Sequence, residues 1–267
     1  MSIKSSVVSY PDRGPWGSAS FRGNMSGYLV KDLIEHFGAK SVLDPMAGSY
    51  TTRGVCEEMG IHYVCTDLKQ GVDALNFETS ERFDLVILHP PYWRMITYSD
   101  DPRDLSNTAS LSEFMQRISR AINHMARFLT PAGRIVVLIG NWRKDGRYYP
   151  LGACLEVLFM NELRDELIKV QHNVKSMGFR YKGSFIPIMH EKVLVFAGFK
   201  SATWEDVVQR ALLNLGGQAT LSEIYAQMAE HPKTADNPTW QSTTRRVLQE
   251  KFVPVARGMW QIRGGGV

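Results

Sequence analysis

The run Asp84-Leu-Val-Ile-Leu-His-Pro-Pro-Tyr92 constrains the fold of this chain more than any other stretch. Its apolar part, residues 85–88, is typical of a strand buried on both faces of a parallel sheet. Two consecutive prolines cannot extend a strand, because proline has a fixed φ and no amide hydrogen. His89, Tyr92 and Trp93 therefore lie on a stiff loop after the strand. Ligands of open α/β sheets bind beyond such carboxyl ends, although an ordinary rigid strand exit has the same pattern.

The composition is that of an ordinary globular protein. The 267 residues are 44% hydrophobic and 22% charged, and the formal net charge of +4 permits an anionic partner without requiring one. The three cysteines form no Cys-x-x-Cys pair, so we expect no structural metal site and reduced thiols. No apolar run approaches a membrane span, and no apolar signal core opens the chain. We expect a cytoplasmic protein without a membrane partner.

Strands alternate with helices up to residue 200, which predicts an α/β, doubly wound and mostly parallel sheet with helices on both faces. A polar, aromatic arm (residues 1–24) precedes a helix at 26–37 that Ser26 can cap and Gly38 can end. The strands are expected at 41–43, 62–66, 83–88 and 134–139, with a turn at 131–133 and helices ending near 59, at 112–129 and at 152–177. A closing hairpin of 183–188 with 192–199 predicts an antiparallel edge.

After residue 200 the pattern changes to three helices followed by a strand, a turn and a strand. The helices are expected at 204–215, 221–230 and 240–249, and the strands at 252–256 and 259–263. This order is typical of a winged helix-turn-helix, so residues 1–200 and 201–267 are two predicted domains. The third helix, the usual groove reader, carries Arg245 and Arg246. With seven basic and six acidic side chains, the second domain fits either nucleic-acid contact or a protein–protein role.

The loop Asp44-Pro-Met-Ala-Gly-Ser-Tyr-Thr-Thr52 has the composition of a strand-to-helix turn that binds a cofactor. Gly48 permits close backbone approach, and the hydroxyls and helix amides are donors at a positive helix end. The loop is neither Gly-x-Gly-x-x-Gly nor a Walker motif, which disfavours nicotinamide and nucleoside-triphosphate cofactors. Asp67 ends the next strand, where an acidic residue binds a ribose diol. S-adenosylmethionine fits the combination, unless Asp44 only forms the turn and Asp67 only caps a helix.

These motifs resemble those of the DNA amino-methyltransferases, which use S-adenosylmethionine to methylate exocyclic amines of adenine or cytosine. The loop is similar to their Asp-Pro-Phe-x-Gly-Ser-Gly-Thr-Thr sequence, and His89-Pro-Pro-Tyr92 is similar to their (Asp/Asn/Ser)-Pro-Pro-(Tyr/Phe) catalytic tetrad. Phe21-Arg-Gly-Asn24 resembles the segment that holds the methionine end of the cofactor, and His190-Glu-Lys-Val-Leu-Val-Phe196 resembles a late strand. The resemblance covers residues 10–200 in the γ-type motif order.

The resemblance implies the residues of a methyl-transfer site. It assigns catalysis to His89, Pro90, Pro91 and Tyr92, and cofactor binding to Asn24, Asp44, Pro45, Met46, Ala47, Gly48, Ser49, Thr51 and Asp67. The side chain of residue 89 and the carbonyl of Pro90 would accept from the target amine, and Tyr92 would stack on a base swung out of its strand. Trp93 either extends this platform or packs beneath the loop. Arg245 and Arg246 are candidate substrate contacts.

Two departures from the family pattern bear on the substrate. His89 accepts through one nitrogen and only when neutral, and Tyr50 replaces the second glycine of the loop. The expected reaction is methylation of adenine N6 in double- or single-stranded DNA. Because the chain lacks a long base-reading insertion, we expect a short or degenerate target sequence. N4-cytosine methylation, an RNA or protein-glutamine amino-methyltransferase and an inactive DNA-binding regulator stay open as alternatives.

Overall fold

The computed structural model describes residues 3–172 and 186–263. In chain order, the strands of the first region are β1 (Val7–Ser9), β2 (Ser41–Asp44), β3 (His62–Cys65), β4 (Phe83–Leu88), β5 (Leu129–Gly140), β6 (Trp142–Lys144), β7 (Arg147–Tyr149), β8 (Leu163–Val170) and β9 (His190–Phe196). Its helices are α1 (Gly27–Phe37), α2 (Thr51–Met59), α3 (Leu111–Met125) and α4 (Leu151–Leu158).

Seven of these strands form one sheet with the spatial order β1-β8-β9-β5-β4-β2-β3. Strands β3, β2, β4 and β5 are parallel, whereas β9 runs antiparallel to both β5 and β8. Along β4, Val86 and Leu88 pack in the core cluster that contains α3 and α4, while Leu85 and Ile87 pack in the cluster that contains α1 and α2. The prediction of a doubly wound sheet covered on both faces is confirmed. The prediction of an antiparallel edge is wrong, because the antiparallel strand β9 lies inside the sheet and the edge strand β1 runs parallel to β8.

The prediction of one long helix at 152–177 is wrong. Helix α4 ends at Leu158, and Leu163–Val170 is strand β8, which pairs with β9 and with β1. Leu, Glu, Arg and Lys favour helices locally, but pairing on both edges satisfies the backbone of this segment as a strand. The partner of β9 is thus β8 and not 183–188, of which residues 186–188 form no strand and the rest lie outside the described residues.

Two smaller differences concern the ends of elements. Ser26 precedes α1, as expected, but makes no side-chain cap hydrogen bond, and Gly38 ends that helix in the left-handed conformation. The turn expected at 131–133 lies inside β5, where the pairing with β4 shifts register. A bulged strand accommodates the proline and glycine there without ending the ladder.

The second region has a hydrophobic core of its own. Its helices are α5 (Trp204–Asn214), α6 (Leu221–Met228), α7 (Pro232–Ala235) and α8 (Trp240–Lys251), and its strands are β10 (Gln218–Thr220), β11 (Val253–Ala256) and β12 (Met259–Gln261). The strands form an antiparallel sheet in the order β10-β12-β11. The sequence pattern missed β10 and the single turn of α7, because both are too short to show periodicity.

A buried ion pair joins the two regions. Arg210 of α5 binds Glu162, and the two side chains are 5% and 1% exposed. Arg210 also donates to the side chain of Asn123 in α3 over 3.2 Å. Burial raises the pKa of Glu162 despite the guanidinium beside it. The domain boundary at residue 200 stays a prediction, and charged groups on either side of it are buried against each other. No helix in the described part of the chain is long and apolar enough to cross a bilayer.

Candidate functional site

A cavity of about 690 Å³ lies beyond the carboxyl ends of β2 and β4. It brings together most of the residues that the sequence assigned to a site: Asn24, Pro45, Met46, Ala47, Gly48, Ser49, Thr51, Asp67, His89, Pro90, Pro91 and Tyr92. The loop after β2 and the tetrad after β4 meet here because β2 and β4 are adjacent parallel strands. Loops that follow adjacent parallel strands share one edge of the sheet.

Asp44 shapes the loop after β2 from underneath. Its carboxylate is fully buried and accepts hydrogen bonds from the Met46 amide at 3.0 Å and the Thr52 hydroxyl at 2.6 Å. Burial raises the pKa of Asp44 to about 7. Both of its oxygens are engaged within the loop, and Asp44 is not one of the residues that line the cavity. This favours the alternative in which Asp44 only forms the turn.

Two residues of the loop adopt the left-handed conformation, Gly48 with φ 52° and Tyr50 with φ 63°. A Cβ atom at Gly48 would come within 3.0 Å of the Phe21 ring, so this position has both a conformational and a steric reason to be glycine. Tyr50 stands immediately before α2 and carries strain that a glycine would not. The departure from the family pattern at residue 50 therefore alters side-chain chemistry while the backbone conformation stays glycine-like.

Asp67 faces the cavity and fixes the loop at the same time. One carboxylate oxygen accepts from the Gly48 amide at 2.9 Å, and the other accepts from the Lys69 amide at 3.0 Å. The second bond caps the short 3-10 helix Leu68–Gln70. Each carboxylate oxygen has a further lone pair, so the helix-cap role leaves acceptor capacity for a ligand hydroxyl.

An aromatic wall borders the same end of the cavity. The rings of Phe21 and Tyr98 stack with centroids 5.8 Å apart, and the Lys69 ammonium lies 4.2 Å from the Phe21 centroid. Nearby, the Thr51 hydroxyl donates to the side-chain carbonyl of Asn24. The arm before α1 thus reaches the loop after β2 and closes one side of the cavity.

At the other end, His89 and Tyr92 belong to a hydrogen-bonded network with Glu191 and Lys169. The Tyr92 hydroxyl lies 2.5 Å from Oε1 of Glu191 and 3.0 Å from Nε2 of His89. Lys169 donates to Oε2 of Glu191 over 2.7 Å. All four side chains line the cavity, and those of Lys169 and Glu191 are only 12% and 10% exposed.

The protonation states in this network follow from its charges. Burial lowers the pKa of His89 to about 4, so the imidazole is neutral at neutral pH. Burial alone would raise the pKa of Glu191, but the Lys169 charge and the hydrogen bonds from Lys169 and Tyr92 lower it. Burial and the Glu191 carboxylate raise the pKa of Tyr92 well above its usual value. The network therefore holds a neutral imidazole, a neutral phenol and an ion pair.

These states assign the tautomer of His89. The Glu191 carboxylate can only accept, so the single phenolic proton of Tyr92 is donated to it. The Tyr92 oxygen must then accept from His89, which places the ring proton on Nε2 and the lone pair on Nδ1. Among residues 3–172 and 186–263, nothing forms a hydrogen bond with Nδ1. Nδ1 of His89 is thus an acceptor available to a ligand in the cavity.

Trp93 does not line the cavity. Its indole is 8% exposed, packs edge-on against Trp142 and Tyr149, and donates to the carbonyl of Thr108 over 3.4 Å. Of the two roles that the sequence left open for Trp93, packing beneath the loop matches the geometry. Arg245 and Arg246 also lie away from the cavity, on the exposed face of α8, where Arg246 pairs with Glu250 at 3.5 Å.

Sequence reasoning missed Lys169 and Glu191. Their strands, β8 and β9, are neighbours at one side of the sheet, and Glu191 is 99 residues from its partner Tyr92. The only signal was the placement of Glu191 in a strand resembling a late strand of the methyltransferases. The sequence pattern predicts a helix over residues 163–170, and a helix would not place Lys169 beside Glu191.

Comparisons with known proteins reveal only distant structural likenesses. No family model and no curated protein matches the chain. Solved structures that are similar to it include S-adenosylmethionine-dependent methyltransferases of Clostridium acetobutylicum (11% identity, TM-score 0.36, covering 64% of this chain and 90% of that one) and Archaeoglobus fulgidus (15%, 0.39, 66% and 96%). A putative DNA modification methylase of Thermus thermophilus is 22% identical with a TM-score of 0.31, over 51% of this chain and 59% of that one.

Proposed function

We propose that this chain is an S-adenosylmethionine-dependent DNA amino-methyltransferase whose target is the exocyclic N6 amine of adenine. One observation carries the proposal: a single cavity is lined by the cofactor-type loop after β2 and by the His89–Tyr92 tetrad. Methyl transfer requires the donor and the target amine in one space at bonding distance. The neutral acceptor at residue 89 supplies the chemistry that the amine needs.

The cavity fits the cofactor in size and in the polar groups that it offers. Its volume lies within the range of about 300–1,000 Å³ that is usual for small-molecule sites. The Asp67 carboxylate would accept from the ribose hydroxyls, and Asn24 and the loop from Pro45 to Thr51 would hold the methionine end. When bound, the cofactor supplies an electrophilic methyl group. The stacked Phe21 and Tyr98 rings border the same space.

The catalytic residues act on the target amine by accepting hydrogen bonds. The lone pair of an exocyclic amine is conjugated with its ring, so the nitrogen is a poor nucleophile. Nδ1 of His89 and the carbonyl of Pro90 would accept from the two N–H groups, favour the pyramidal form and stabilise the developing positive charge. The low pKa of His89 keeps Nδ1 an acceptor throughout the physiological pH range.

Tyr92 would supply the surface on which a flipped base stacks. Its hydroxyl is held by Glu191 and His89, and its ring lies against Gly140 so closely that a Cβ atom there would come within 2.5 Å. A ring that is fixed at its hydroxyl and along one side is a preorganised platform. Trp93 supports the platform from below and does not extend it.

DNA is favoured over RNA and protein substrates by the second region of the chain. Its three longer helices and the β11–β12 strand pair have the order of a winged helix, and α8 exposes Arg245 and Arg246. We propose that this region contributes DNA affinity, and that the target sequence is short, degenerate or single-stranded. Methylation-sensitive sequencing of DNA from expressing cells tests the last point. A unique target of five or more base pairs, fully modified on both strands, would contradict it.

Transfer of tritium from methyl-labelled S-adenosylmethionine tests the proposed substrate class. Equal masses of DNA, RNA and cell protein are incubated separately with the wild type and with His89→Ala. We expect label in DNA with the wild type and background with the variant. Label in RNA or protein alone identifies the rival amino-methyltransferase. No transfer to any acceptor, together with DNA binding, identifies a regulator with an inactive site.

A further inference from the structure

The hairpin β6–β7 is a small basic element outside the cavity. Its two strands pair Trp142 with Tyr149 and Lys144 with Arg147, and they form a sheet of their own. The turn between them, Asp145-Gly146, has φ of 51° and 77°, as a two-residue hairpin turn requires. An isolated two-stranded hairpin is marginally stable in water, so its contacts with the rest of the protein decide its position.

Those contacts tie the hairpin to the catalytic loop. Trp142 and Tyr149 stack with centroids 5.4 Å apart, and both meet the ring of Trp93, at 5.3 Å and 5.1 Å. Trp93 follows Tyr92 directly in the chain. The hairpin also begins two residues after Gly140, the residue that touches the Tyr92 ring. It is therefore anchored to the loop on which a target base would be held.

The basic side chains of the hairpin are held by aromatic rings. Lys144 lies 5.8 Å from the centroid of Trp142, and Arg147 lies 5.3 Å from that of Tyr149. Within the described residues, neither forms an ion pair with a carboxylate, in contrast to Arg53 with Glu57 on α2. Both are exposed, and residues 142–149 contain three basic side chains and one acidic one. A guanidinium stacked on a ring keeps its N–H edges available to an anion.

We infer that the β6–β7 hairpin binds the sugar–phosphate backbone of the nucleic-acid substrate beside the flipped base. This inference rests on the proposed function and adds a DNA-binding surface outside the cavity. We expect a polyanionic partner because Lys144 and Arg147 are exposed cations on a hairpin that is anchored by its aromatic residues. A strand that delivers a base to Tyr92 would pass the loop after β4, and both cations lie on the hairpin that packs against that loop through Trp93. Phosphate contacts of this kind position the strand without reading its sequence.

Titration of a short fluorescent DNA oligonucleotide, single-stranded and duplex, against increasing salt tests the inference. The variant Lys144→Ala/Arg147→Ala removes two exposed charges and leaves the aromatic anchor intact. The matched control is Arg82→Ala/Arg134→Ala, which removes two charges near the amino end of β4: Arg82 precedes that strand, and Arg134 of β5 pairs with Leu85. S-adenosylmethionine affinity, measured in parallel, reports whether each variant is folded.

We expect the hairpin variant to bind DNA about tenfold more weakly, and the slope of log affinity against log salt to fall by about 1.8, or about 0.9 for each lost phosphate contact. The control should match the wild type. If the hairpin variant binds DNA as the wild type does, the inference is wrong and the proposed function stands. If the wild type binds no nucleic acid at any salt concentration, the proposed function fails with it. Equal loss of binding to an acidic peptide of the same charge would also overturn the inference, because the surface would then lack selectivity for nucleic acid.

Discussion

The two ends of the cavity are built in different ways. At the cofactor end, the Asp67 carboxylate is held by two backbone amides, those of Gly48 and Lys69. At the catalytic end, the Glu191 carboxylate is held by two side chains, Tyr92 and Lys169. A frame of backbone amides persists when a neighbouring side chain is changed, whereas a side-chain network rearranges. Substitutions at the two ends should therefore separate cofactor binding from turnover.

His89→Ala should have the largest effect and should act on turnover alone. Loss of one preorganised group that stabilises developing charge costs about 10²–10³ in kcat. The affinity for S-adenosylmethionine should stay within about twofold, because the cofactor end of the cavity is intact. Steady-state kinetics and calorimetry measure the two quantities. Unchanged turnover would remove His89 from the reaction.

Asp67→Ala should produce the opposite pattern. Hydrogen bonds to a charged group are worth about 1.5–3 kcal/mol, so we expect S-adenosylmethionine to bind roughly tenfold to a hundredfold more weakly. Turnover at saturating cofactor should remain close to that of the wild type. Unchanged affinity in calorimetry would show that Asp67 only orders the loop and contacts no ribose.

Glu191→Gln should reverse the tautomer of His89. Lys169 can only donate and so keeps the amide oxygen, which turns the amide NH₂ group toward Tyr92. The Tyr92 hydroxyl then donates to Nε2 of His89, and the ring proton moves to Nδ1. We expect turnover at least tenfold lower, because Nδ1 would then carry a proton and could no longer accept a hydrogen bond from the target amine.

The ring ¹⁵N shifts of His89 distinguish this account from a loss of stability. They should show the proton on Nε2 in the wild type and on Nδ1 in Glu191→Gln. Glu166→Gln, on β8 and paired with Lys192 outside the cavity, is the matched control and should keep the wild-type pattern. A wild-type ring protonated on Nδ1 would contradict the assignment.

A change of pH within the physiological range should alter turnover less than any of these substitutions. With a folded-state pKa of about 4, His89 stays neutral from pH 8 down to about pH 5, so turnover changes little and is halved only near pH 4. Because the pKa of His89 is lower than its ordinary value of 6.5, protons bind the unfolded chain preferentially. The contribution of His89 to the free energy of unfolding is therefore complete above about pH 6.5 and is lost as the pH falls toward about 4. A midpoint near 6.5 in kcat, the ordinary pKa of histidine, would mean that the imidazole is solvated.

The sequence predicted the two loops that line the cavity because each loop is a run of consecutive residues. Residues 85–88 and the two prolines determined where β4 ends, and the loop after β2 is visible as nine consecutive residues. Local pattern could not decide that Asp44 points inward and Asp67 outward, since both end parallel strands. That distinction depends on the packing of Thr52 beneath the loop.

The catalytic end was only half predictable, for a physical reason. His89 and Tyr92 are recognisable from the tetrad, but the groups that determine their protonation lie on β8 and β9. Five of the eight residues of β8 are Leu, Arg, Glu or Lys, which favour helices, and the segment is a strand through its pairing with β1 and β9. The sequence could not decide the role of Trp93 for the same reason, because its partners Trp142 and Tyr149 belong to a hairpin about 50 residues later.

Mass spectrometry of nucleosides tests the central claim most directly. DNA is digested from a methylation-free host that expresses either the wild type or His89→Ala, and the methylated nucleosides are identified. We predict N6-methyladenine with the wild type and none with the variant. N4-methylcytosine instead would correct the target base and keep the chemistry. The absence of any methylated amine, or equal amounts with both proteins, would contradict the assignment of this cavity to amino-methyl transfer.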